Sequence, residues 1–166
     1  MNLCYLIADR IYRAKTRGKR SGGSDRQRHP AAYWHWQFQT SADYFAKFFD
    51  LQQRLAGADV IDIGCGLGGR TCFLANHGVR SITGTDTNHE EIERASELVS
   101  ELDDGEVRKR VTFEKVDATD QTPTGRKYDI ALLVDSLEHV HDPLEMLNLA
   151  YGLLKPGGVC YFSTWG

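Results

Sequence analysis

The residues best suited to chemistry in this 166-residue chain are a glycine run with an acid beside it, Asp62-Ile63-Gly64-Cys65-Gly66-Leu67-Gly68-Gly69, and the downstream Asp86, Asp117, Asp135 and His139. A strand that runs into glycines and then a helix brings backbone N–H groups close to a ligand, where side chains would block the approach. Nucleotide-binding enzymes of several kinds use such a turn, so the glycines alone do not choose a ligand. Asp62 does discriminate. A pyrophosphate at this helix start would meet a like charge in a poorly solvated crevice, whereas a ligand with ammonium and sulfonium centres would be attracted. Asp86 ends the next apolar run and is placed to accept hydrogen bonds from both hydroxyls of a ribose. That role fits any adenosine cofactor, nicotinamide dinucleotides included.

Elements that would position these side chains follow from the periodicity. Asp59–Ile63 reads as a short apolar strand, followed by the glycine turn and a helix over 70–77 that stops at Gly78. Residues 81–86 form a second strand. Asn88 caps a helix to about Leu102, with Glu90, Glu91 and Glu93 favourably near its N-terminus. Strands are expected at 111–116 and 128–134, Pro143 opens another helix, and Gly157-Gly158 turns into a fifth strand over 159–164. Alternating strands and helices with near-continuous apolar strands give an α/β fold: a Rossmann-like, doubly wound, mostly parallel sheet in three α/β/α layers. Ligands of such sheets bind beyond the carboxyl ends of the strands, where Asp62, Asp86, Asp117 and Asp135 all fall. Upstream lies a basic arm over 1–30, then a segment over 31–57 in which eight aromatic residues crowd between Tyr33 and Phe49. The spacing of Ala42, Phe45, Phe49 and Gln52/Gln53 predicts an amphipathic helix ending near Gly57, an aromatic cap on the 58–166 body.

Composition is ordinary, 41% hydrophobic and 26% charged, which excludes wholesale disorder and fibrous classes. No apolar run approaches the roughly 18 residues of a membrane span. The short apolar start, Met1 to Ala8, lacks the basic lead and cleavage pattern of a secretion signal. Cys4, Cys65, Cys72 and Cys160 form no CxxC pair, and read as thiols in a reducing, cytoplasmic setting. The net charge of −3 hides an asymmetry: residues 1–57 carry ten Lys/Arg against four Asp/Glu, and residues 58–166 carry ten against nineteen. The basic excess between Arg10 and Arg28 suits a solvated arm, with nucleic-acid contact as the weaker alternative.

Taken together the runs resemble class I S-adenosylmethionine-dependent methyltransferases, in particular the type 11, ubiquinone-biosynthesis-like subgroup. Val60 to Gly68 looks like their first motif, Gly84-Thr85-Asp86 their second, Val116-Asp117-Ala118 their third, and 128–130 with Asp135 to Val140 their fourth. Leu153 to Gly158 resembles the turn before their fifth strand. The resemblance implies S-adenosyl-L-methionine as cofactor and S-adenosyl-L-homocysteine as product. It implies that Asp62 and the backbone of Gly64, Cys65 and Gly66 hold the methionine moiety, and that Asp86 holds the ribose. Thr87 would flank the adenine, Asp117 and Ala118 would contact it, and the backbone around Val134 would accept from the amino group. Tyr33 or Trp36 would cover the methyl end, with aromatic core packing as the competing reading.

Methyl transfer from a sulfonium is an in-line displacement from an activated leaving group, so alignment and exclusion of water dominate. A base is needed where the acceptor must lose a proton, and His139, beyond the fourth strand, is placed to serve. Asp135-x-x-Glu138-His139 also resembles a metal site of some relatives that have Glu where this chain has Asp135. The change alters the reach of the side chain, and no metal is expected. The preferred reading is a methyltransferase acting on a small molecule, at oxygen. The alternatives are an RNA or tRNA methyltransferase using the basic arm, and a non-catalytic cofactor-binding module. The family's sheet normally continues past the fifth strand. With the chain ending at Trp165-Gly166, its C-terminal strands are expected to be missing, and the exposed fifth strand predicts self-association or marginal stability.

Overall fold

A computed structural model of the chain describes residues 29–116 and 125–164. The basic arm, Cys4, Asp117 and Ala118 lie outside the described residues. Helix α1 spans Pro30–Phe45, with Pro30 in its first turn where a missing N–H is harmless. It buries Trp34, Gln37, Ser41 and Phe45, one stripe at spacings of three and four. The expected continuation to Gly57 fails after Phe45: residues 46–50 form turns, and Asp50, with a left-handed φ of 57°, separates α1 from the next helical stretch. Asp50 is held there by Arg54 Nε at 2.6 Å and by the Tyr161 hydroxyl, and a short α2 follows at Leu51–Arg54. Phe49, assigned to the buried stripe by spacing, lies in the turns after α1 and is 89% exposed.

Five strands follow: β1 Asp59–Ile63, β2 Ser81–Asp86, β3 Val111–Lys115, β4 Tyr128–Val134 and β5 Leu154–Ser163. They form one sheet of order β3-β2-β1-β4-β5, with every neighbouring pair parallel. Helices α3 (Gly69–Ala75), α4 (His89–Ser100), α5 (Gly105–Arg110) and α6 (Pro143–Leu153) connect them. Alternation along β1 and β4 divides their apolar side chains between two cores. Val60, Ile130 and Leu132 face a core that includes Trp34, Phe45, Leu74 and Leu98. Ile61, Ile63, Ala131 and Leu133 face a second core with Ala150 and Leu153 of α6. The three-layer α/β/α arrangement is thus as expected.

Helix starts obey their caps. The side chain of Asn88 accepts from Glu90 N, and that of Asp142 from Leu144 N and Glu145 N. Asp104 likewise caps α5, a helix the periodicity reading passes over. β5 starts at Leu154, ahead of the expected 159, because a register shift against β4 between Tyr128 and Ile130 absorbs Gly157-Gly158 within the strand. At the strands' amino ends Lys155 Nζ donates to both Asp59 and Asp129 at 2.9 Å, tying β5 to β1 and β4. Arg80 foremost, with Lys155 and Ser81, holds the Asp59 carboxyl well below the usual carboxylate range. The functional side chains therefore lie at the opposite, carboxyl end.

Candidate functional site

β1 delivers Asp62 toward α3, on the same face as Val60, where it is buried at 4% exposure. Thr71, in the first turn of α3, donates its hydroxyl to Asp62 Oδ2 at 2.6 Å. Burial pushes the Asp62 carboxyl up from 3.8 to about 6, and the nearby Asp86 adds to the rise. The chain thus keeps an acid short of a cation at the place where the sequence calls for one. Arg70 opposes the rise but does not cancel it.

The glycine turn differs from the expectation in one respect. The N–H groups of Gly64 and Cys65 both donate to Thr85 O, at 2.8 and 2.9 Å, and that of Gly66 donates to Asp86 Oδ2 at 2.8 Å. These donors, expected to face a ligand, are satisfied within the protein and tie the turn to the end of β2. The glycines answer close packing instead. Gly64 has φ +78°, and a Cβ there would lie 2.8 Å from Ser136 Cβ. A Cβ on Gly69 would lie 2.6 Å from the Trp34 carbonyl, so this glycine lets α1 rest on the first turn of α3. The aromatic segment is therefore both core and wall: Trp34 is 2% exposed, while Tyr33 and Trp36 line a cavity.

Two cavities meet at the carboxyl ends of the strands. The larger, about 860 Å³, is lined by Asp86, Thr87, Asn88 and Val116 among others, and the smaller, about 140 Å³, by Asp62, Cys65, Arg70 and Val134 with the two aromatics. Gly64, Asp135 and His139 line both and mark their junction. The structure thus gathers Asp62, Gly64, Cys65, Asp86, Thr87, Val134 and His139 around one continuous site, and Gly66 reaches it through Asp86. Asp86 also accepts from Asn88 N at 2.9 Å, which fixes its carboxylate at the cavity wall.

Sequence reasoning missed the polar knot beside the junction. Asp135 follows β4 with φ 51°, a conformation rare outside glycine. Its Oδ1 accepts from the Tyr44 hydroxyl at 2.6 Å and from Ser163 Oγ at 2.9 Å, and its Oδ2 lies 3.2 Å from Arg70 Nη2. The Arg70 guanidinium also stacks over the Tyr44 ring at 4.2 Å. Burial, then the bond to Asp135, pushes the Tyr44 phenol up to about 12, so it is a donor and not a base. Asp135 is committed to this knot, and among the described residues no three His, Cys, Asp or Glu converge as a metal site. The one signal in the sequence was Arg70 itself, a cation in the first turn of a helix where the dipole disfavours it.

A family model described as a methyltransferase domain matches residues 33–166. The chain belongs to the class I S-adenosylmethionine-dependent methyltransferases. It is 32% identical over 118 residues to a ubiquinone biosynthesis O-methyltransferase of Coxiella burnetii, covering 71% of this chain and 48% of that protein. A ubiquinone biosynthesis O-methyltransferase of Psychrobacter cryohalolentis is 36% identical over 110 residues, 66% of this chain and 42% of its own. Among solved structures, a methyltransferase of Thiobacillus denitrificans in complex with S-adenosyl-L-homocysteine superposes with a TM-score of 0.60 at 26% identity, covering 75% of this chain and 47% of that one. The chain spans about half the length of the curated relatives it matches.

Proposed function

We propose that this methyltransferase-family chain binds S-adenosyl-L-methionine across the two joined cavities and serves methyl transfer to a small-molecule oxygen acceptor. The observation that carries the reading is the junction at Gly64, Asp135 and His139 between a larger cavity bearing Asp86 and a small cavity bearing buried Asp62. When bound, the cofactor supplies an electrophilic methyl on sulfur. Asp86 receives the ribose hydroxyls and Thr87 flanks the adenine. Asp62, Cys65 and the turn carbonyls border the methionine end. Tyr33 and Trp36 exclude water from it. His139, exposed at the mouth and bordering both cavities, takes the acceptor's proton as its oxygen attacks. The named activity of the curated relatives, O-methylation in ubiquinone biosynthesis, supports oxygen as the acceptor atom and a small molecule as its carrier. Transfer of labelled methyl to hydroxylated aromatic compounds, and not to RNA, is the expected result; labelling of RNA alone would contradict it.

No helix among the described residues is long and apolar enough to cross a membrane. The free Cys65, Cys72 and Cys160 support a reducing, cytoplasmic setting. β5, paired only with β4 among the described residues and bearing the half-exposed Phe162, supports self-association through the sheet edge. Sedimentation showing a monomer at all concentrations would contradict that.

A further inference from the structure

The two cavities are strongly acidic. Asp62, Asp86, Glu91, Asp135, Asp142 and Glu145 border them, and Arg70 is the only Lys or Arg side chain among the described residues that does. Such a field attracts cationic centres and repels a carboxylate. A ligand with an amino-acid end carries both, and its carboxylate must find a cation or remain in water. Arg70 is built to supply one. Its side chain is 12% exposed, it lines the small cavity with Asp62 and Val134, and it is clamped between the Tyr44 ring and Asp135. Its Nε is buried and finds no acceptor among the described residues. An orphaned buried guanidinium N–H is costly unless a ligand completes it.

We propose that Arg70 is the carboxylate receptor for the amino-acid end of the cofactor, with Asp135 as the resident anion that holds the guanidinium in place before the ligand arrives. The inference rests on the functional reading above and deepens it. Arg70 presents its donors in a planar fork, so Nε and one Nη can take both carboxylate oxygens while the other keeps Asp135. Asp135, Tyr44 and Ser163 then act as positioning residues, fixing the Arg70 fork relative to the ends of β4 and β5. The left-handed backbone of Asp135 is consistent with a residue held in place for this purpose.

The test compares S-adenosyl-L-homocysteine with its decarboxylated analogue, which keeps the adenosine, the thioether and the amine. By calorimetry, the unaltered chain is expected to bind the carboxylate form roughly ten- to one-hundred-fold more tightly, the range for charge-assisted hydrogen bonds. Arg70→Met is expected to lose that preference while binding the analogue as before, and Arg70→Lys to recover part of it. Equal affinity of the unaltered chain for the two ligands would overturn the role of Arg70 and leave the cofactor reading intact. Equal weakening of both ligands in Arg70→Met would make the residue structural and overturn the proposal. If Arg70→Met fails to fold, the preference of the unaltered chain and its partial retention in Arg70→Lys decide. Failure of the unaltered chain to bind either ligand would overturn both this inference and the reading beneath it.

Discussion

Replacing Asp62 by Asn should make the protein more stable and less able to bind its ligand. The Asp62 carboxyl rises from 3.8 in the unfolded chain to about 6 when folded, chiefly because burial penalises its charge. Such a group favours folding below the unfolded value, and that contribution is lost as pH climbs through the folded one. The loss amounts to about 3 kcal/mol at neutral pH. Asn keeps the shape and can still accept from Thr71 but carries no charge, so Asp62→Asn should regain up to that amount. For a chain of 166 residues this is at most roughly a 6–12 °C higher midpoint. The carboxyls held low, Asp50, Asp59, Glu106 and Asp129, lose their partners only as pH falls into and below the ordinary carboxylate range. Between about pH 5 and 7, Asp62 is therefore the one carboxyl among the described residues whose shifted titration changes stability. Thermal scans across that window should show the unaltered chain losing stability as pH rises and the variant holding nearly level. Binding should move the other way: a cationic ligand favours ionised Asp62, so affinity in the unaltered chain should fall as pH drops through about 6. A variant no more stable at neutral pH, with the same pH slope as its parent, would refute the reasoning.

Asp86→Ala removes both the ribose acceptor and the anchor of Gly66 N, and should weaken S-adenosyl-L-homocysteine binding at least tenfold by calorimetry. His139→Gln should leave that binding unchanged while lowering turnover roughly 10²-fold or more, read in a methyl-transfer assay under cofactor saturation. Gly69→Ala would drive its Cβ into the Trp34 carbonyl and lift α1 off α3, costing roughly 1–3 kcal/mol in chemical denaturation.

Much of the frame was legible because it is locally encoded. β2 and β4 fall at the expected residues, as apolar runs bounded by turns, and Asn88 and Pro143 start helices as their chemistry requires. The exceptions depend on contacts distant in sequence. Asp50 leaves helical geometry where Tyr161 holds it, 111 residues away, and no periodicity of the aromatic segment contains that partner. β5 begins early because β4 accepts an irregular register. At the site the same division holds. Asp62, Asp86 and His139 could be placed from strand ends. The glycine N–H groups could not, because their acceptors belong to β2 and its end. The Tyr44–Asp135 bond joins residues 91 apart, and only the folded sheet brings them to Arg70.

The central claim is that the paired cavities hold an adenosine with a cationic amino-acid end. Calorimetric titration with S-adenosyl-L-homocysteine and, separately, with NAD(H) tests it most directly. One-to-one binding of S-adenosyl-L-homocysteine with no heat from NAD(H) is the predicted result, and binding of NAD(H) alone would contradict the account.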